Sequence, residues 1–165
     1  MRHLAIDYGT RRVGLALSDE GGQFVNPLAV LQVGNDDDAR RQVVAAARRE
    51  DAQVLVVGLP LNMDGTEGPS AVNVRKWASA VADELTITLV LVDERLTSFE
   101  AEQTLAARRR GGERLTHKGK KRRLDAVAAA GFLQQYLDGE LTALETRHPT
   151  DAGKQVTGSE PARDD

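Results

Sequence analysis

Ile87 to Val92 is an apolar run broken only by Thr88, and it ends abruptly in Asp93-Glu94. A strand with one wet face alternates between apolar and polar residues. A run this continuous instead suits a strand covered on both faces, as in a parallel sheet flanked by helices. Ser70 to Glu84 precedes it with Val74, Trp77, Ala78 and Val81 at helical spacing, and Gln53 to Val57 supplies an earlier apolar strand. Two parallel strands joined by a helical crossover follow. The two acids at the end of the run then stand at the carboxyl edge of a central strand, where open α/β sheets commonly bind ligands.

The rest of the chain completes a sheet. His3–Tyr8 and Val13–Ser18, separated by Gly9-Thr10-Arg11-Arg12, read as a β-hairpin. Phe24 to Val33 reads as a third strand, and its Pro27 predicts an edge position because proline cannot donate to a central ladder. Asn35 and the run Asp36 to Asp38 offer a cap and negative charge for a helix ending near Glu50. Residues 58–69 hold three glycines and two prolines and predict an irregular loop. Thr97-Ser98-Phe99-Glu100 predicts a helix to about Arg108, and a final helix is expected over Lys121 to Leu137. The order β-β-β-α-β-α-β-α-α is the succession of an RNase H-like fold. The expectation is a mixed five-stranded sheet, three antiparallel strands then two parallel ones, flanked by helices. Residues 1–138 are read as one domain and 139–165 as an acidic, disordered tail.

Composition removes several classes of function. No apolar run reaches the roughly 20 residues of a membrane span, and no signal-peptide pattern opens the chain, so a cytoplasmic protein with no membrane partner is expected. Cysteine is absent, which excludes thiol nucleophiles and thiolate metal sites. The formal net charge of −3 conceals a segregation. Residues 139–165 account for all of it, whereas residues 108–123 carry nine Lys or Arg against the single acid Glu113. Such a segment fits a phosphate-backbone contact, although solvated helix and loop charge is its ordinary role. Aromatic residues make up only 4% of the chain, so base stacking is a poor main source of affinity.

Three acids stand out. Asp7 ends an apolar strand before the Gly9-Thr10 turn, and it either caps that turn or faces a phosphate beside small residues such as Gly9 and Gly14. Asp93 and Glu94 either leave the core into solvent and pair with Arg95 or, since neighbours point to opposite faces, one of the two joins Asp7. Asp125 enters the apolar stretch Ala126 to Leu133, either as a helix cap or as a buried carboxylate that needs a partner. Three carboxylates from separated segments match the hard-oxygen ligand set of Mg²⁺ or Mn²⁺. His3, His117 and His148 are individually read as solvated or structural.

The blocks Leu4 to Gly14, Val57 to Thr66 (VGLPLNMDGT) and Asp93 to Ser98 (DERLTS), with the late Asp125, resemble the YqgF family, also called RuvX, over about residues 2–138. The resemblance implies an RNase H-like, metal-dependent nuclease that matures the 5′ end of precursor 16S rRNA. It also implies Asp7, Glu94 and Asp125 as the catalytic and metal-binding triad. In a two-metal site of this kind the ions clamp the attacking and leaving oxygens of an in-line displacement. Arg11, Arg12, Asn62, Arg95, Lys118, Lys120, Lys121, Arg122 and Arg123 are the candidate nucleic-acid contacts. The expected partners are precursor rRNA or branched DNA, and the expected state is monomer or homodimer. Competing readings are a Holliday junction resolvase, which would require a dimer, a phosphate-binding kinase or ATPase, and a non-catalytic RNA-binding module.

Overall fold

Alternation along the central strands divides their side chains between two unlike layers. The computed structural model describes residues 1–95 and 117–149, except for the side chains of residues 117–124. Six strands form one sheet: β1 (His3–Tyr8), β2 (Arg12–Ser18), β3 (Val25–Gln32), β4 (Val54–Leu59), β5 (Thr88–Asp93) and β6 (Glu145–Arg147). Their spatial order is β3-β2-β1-β4-β5-β6. β1 to β3 run antiparallel, β1, β4 and β5 are parallel, and β6 returns antiparallel to β5. As Pro27 predicts, β3 lies at the edge, with a register shift between Leu15 and Ala16 on its partner strand.

Helices α1 (Asp36–Arg49) and α2 (Pro69–Leu85) cover one face. Asn35 caps α1 by accepting a 2.8 Å bond from the Asp38 amide, and Pro69 opens α2, where a missing N–H costs nothing. Val43, Val44, Ala47, Val74, Trp77, Ala78 and Val81 pack there against Leu4, Ile6, Val13, Leu15, Leu55, Val57, Leu89 and Leu91. The opposite face is covered by α3 (His117–Leu137), which packs across β1, β2 and β3. Ala129, Phe132 and Leu133 of α3 meet Ala5, Ala16, Val54, Val56, Val90 and Val92. Among the described residues, no helix is long and apolar enough to cross a membrane.

The sixth strand corrects the five-stranded expectation, and it lies within the segment read as a disordered tail. Its sequence, Glu-Thr-Arg, has no apolar pattern to announce it, and ion pairs with α2 tie it down. Arg147 reaches Asp83 at 2.8 Å, and Arg75 pairs with Glu145 and with Glu67. The expected helix over residues 98–108, most of the basic segment and residues 150–165 lie outside the described residues.

Candidate active site

Residue parity decides which acids can meet. On β1, Ala5 faces α3 while Leu4 and Ile6 face α1 and α2, so Asp7 falls on the α3 side. On β5, Val90 and Val92 belong to the α3 layer, which places Glu94 with them and Asp93 opposite. The structure accordingly joins Glu94, not Asp93, to Asp7, and their side chains share a hydrogen bond. Asp93 turns to Arg95. Its carboxylate accepts from the Arg95 amide at 3.0 Å and from the guanidinium at 2.6–3.0 Å, and this hydrogen bonding holds it below the ordinary carboxylate range.

Two glycines make that meeting possible. Between β1 and β5 runs β4, and on its α3 face the position beside the pair is Gly58. A Cβ there would lie 2.5 Å from Glu94 Oε2 and 3.0 Å from Glu94 Cβ, so the missing side chain is the space that Glu94 uses to reach Asp7. Across from Asp7 in the β1–β2 register is Gly14, where a Cβ would lie 2.2 Å from the Asp125 carbonyl oxygen. Gly14 admits the backbone of α3 rather than a phosphate, which brings Asp125 down onto the sheet beside Asp7. The sequence pattern places Gly58 at the start of a loop. In fact β4 continues to Leu59, and a glycine inside an apolar strand was the available signal of a close approach.

The electrostatics follow from this crowding. Burial, then the negative charge of Asp125, pushes Asp7 up to about 7, against a hydrogen bond from Glu94 that lowers it. Burial, the charge of Asp7 and their hydrogen bond push Glu94 to about 9. Near neutral pH the Asp7–Glu94 pair therefore keeps a proton that two ordinary carboxyls would have lost. Asp125 is engaged by Arg12, whose Nε lies 3.2 Å from Asp125 Oδ2. Among the described residues, no three Asp, Glu or His side chains converge closely enough, as they stand, to hold a metal ion.

The other expected contacts separate into groups. Arg11 is exposed in the β1–β2 turn. Asn62 and Arg95 are tied into the loop after β4. Asn62 Nδ2 donates to Thr66 Oγ1 at 3.0 Å, Asp64 accepts from the amide and hydroxyl of Thr66, and Arg95 donates to the carbonyls of Asn62 and Met63 at 3.2 Å. Arg95 thus fastens that loop to the segment carrying Glu94. Lys118, Lys120, Lys121, Arg122 and Arg123 lie on the first turns of α3, and their side chains fall outside the described residues.

A family model described as RuvX, Holliday junction resolvase, matches residues 1–139. The chain belongs to the RuvX family. A relative from Anaeromyxobacter sp. (strain Fw109-5), named "Putative pre-16S rRNA nuclease", is 41% identical over 139 residues, which is 84% of this chain and 98% of that protein. A protein of the same name from Opitutus terrae (strain DSM 11246 / JCM 15787 / PB90-1) is 42% identical over 139 residues, covering 84% and 92%. Among solved structures, Thermus thermophilus RuvC superposes with a TM-score of 0.56 at 16% identity, over 87% of this chain and 100% of that one. The fowlpox virus Holliday junction resolvase gives 0.52 at 11% identity, over 84% and 99%. At these identities the likeness to solved structures concerns the fold, and it agrees with the RNase H-like order of elements.

Proposed function

We propose that this RuvX-family protein is a divalent-cation-dependent nuclease that cleaves precursor 16S rRNA during maturation of its 5′ end. The observation that carries the reading is the meeting of Asp7 and Glu94 over Gly58, with Asp125 brought beside them over Gly14. Clustered carboxylates oppose the binding of a phosphodiester unless cationic charge is added. A purely RNA-binding surface has no use for two acids held at this electrostatic cost. The names of the curated relatives favour precursor rRNA over branched DNA.

Asp7, Glu94 and Asp125 are the residues that would hold the cations. Their all-oxygen donor set, in a chain without cysteine, suits Mg²⁺ or Mn²⁺. When bound, such ions supply Lewis-acid polarisation of the phosphoryl group and neutralise its charge. The chain's own residues do the rest. Asp7 and Glu94 hold one proton between their carboxyls in the cation-free site. Gly58 and Gly14 fix the separation of the acids, and Arg95 keeps the loop after β4 in register with Glu94. Arg11 and the basic residues Lys118 to Arg123 hold the nucleic-acid backbone.

The test is cleavage by wild type and Asp7→Asn of a precursor 16S 5′-leader RNA and a synthetic four-way DNA junction, with Mn²⁺, with Mg²⁺ and with chelator. Cation-dependent cutting of the RNA, lost in the variant, is the expected result. Paired symmetric cuts in the junction, with the RNA untouched, would transfer the assignment to a resolvase. Cutting by the folded variant at the wild-type rate would overturn the site.

A further inference from the structure

Arg12 shares the α3 face of β2 with Gly14, and it occupies the carboxylate that the cation site needs. Its Nε is 3.2 Å from Asp125 Oδ2, with only 20% of the Arg12 side chain and 27% of the Asp125 side chain exposed. Among the described residues that buried Nε makes no hydrogen bond, so its contact with Asp125 is a charge pair. An unused buried donor beside a reaction centre is ready for a better acceptor. Among the described residues the three acids do not converge as a ligand set, and the pair holds one of them.

We propose that Arg12 is a positioning residue that serves as a resident counter-ion. It holds Asp125 while the protein is free of cation and substrate, and it exchanges Asp125 for a phosphodiester oxygen when both arrive. The proposal rests on the reading of Asp7, Glu94 and Asp125 as the cation site. Guanidinium is suited to such an exchange because its planar fork donates to carboxylate and phosphate oxygens alike. Asp125 must leave Arg12 before it can ligate, so a cation alone sees only the fraction of molecules in which the pair is open. Its apparent affinity is reduced by that fraction. A phosphodiester that takes Arg12 removes the handicap, and cation and nucleic acid then strengthen each other's binding by the same factor. The site is thereby kept weakly metallated until substrate is present.

The experiment is titration of the purified full chain with Mn²⁺ alone, followed by calorimetry, for wild type, Arg12→Gln, Arg12→Lys and Asp125→Asn, with folding checked by thermal melts. Arg12→Gln is expected to bind Mn²⁺ about tenfold more tightly than wild type, as for a pair closed in roughly nine molecules of ten. Arg12→Lys should stay near wild type because it restores the charge, and Asp125→Asn should weaken binding. In cleavage assays Arg12→Gln should need less Mn²⁺ for half-maximal rate while its KM for RNA rises. If Arg12→Gln does not fold, Arg12→Met, which keeps the aliphatic packing, carries the same expectation. Unchanged or weaker Mn²⁺ binding in folded Arg12→Gln or Arg12→Met, with Asp125→Asn still impaired, would overturn the counter-ion role alone. Mn²⁺ uptake by none of the proteins would overturn it together with the cation-site reading.

Discussion

The two faces of the central strands are made from alternate residues of the same short segments, yet they are built to opposite specifications. Toward α1 and α2 stand Leu4, Ile6, Leu55, Val57, Leu89 and Leu91, closed over by Trp77 and its neighbours. Toward α3 the valines of β4 and β5 are joined by the small residues Ala5, Gly14, Ala16 and Gly58, and at the carboxyl edge stand the acids Asp7 and Glu94. One face gains stability from apolar area removed from water. The other leaves room so that carboxylates can approach one another, against their repulsion. Lengthening a side chain should therefore harm the α3 face, and shortening one should harm the α1–α2 face.

The largest expected effect is on chemistry without loss of fold. Asp7→Asn should lower cleavage by about a thousandfold or more while melting as a folded protein, because it removes a charge that the fold bears at a cost. Next comes Gly58→Ala. The added methyl would lie 2.5 Å from Glu94 Oε2, so the carboxylate must swing aside. A loss of about a hundredfold in kcat is expected, as for a catalytic group misplaced by about an ångström. The opposite face supplies the contrast: Leu55→Ala, at a fully buried position, should cost about 2–5 kcal/mol in denaturant melts. Its rate per folded molecule should be unchanged. Arg75→Ala, which removes one of the two ion pairs between β6 and α2, should cost no more than about 1 kcal/mol because the pair is partly exposed.

The same contrast explains what the sequence made legible. The apolar run of β5, the hairpin of β1 and β2, the Asn35 cap and the edge position of Pro27 were readable because periodicity and turn chemistry are local. The three acids were legible as charges placed where charge is expensive. The choice of Glu94 over Asp93 came from resemblance, and it also follows from parity once β5 is in place, since Val90 and Val92 face α3. Three things were not legible, namely Gly58 as part of a strand, Arg12 as partner of Asp125, and β6. Each depends on contact between distant segments: β4 with β5, β2 with α3, and β6 with α2 through Arg75 and Arg147.

The most direct measurement is the melting temperature of wild type and Asp7→Asn at pH 6 and pH 8, with and without Mn²⁺. Asp7 and Glu94 are raised in the folded chain, to about 7 and about 9, above the values near 4 of an unfolded carboxyl. Between those limits the folded state binds more protons than the unfolded one. Stability without cation therefore falls as pH rises through that window, and the penalty vanishes below it. Mn²⁺ should offset the penalty, raising the wild-type melting temperature by about 3–6 °C at pH 8 and by less at pH 6, with little gain in Asp7→Asn. An equal gain in both proteins, or one independent of pH, would contradict the claim that the acids of the α3 face are a cation site.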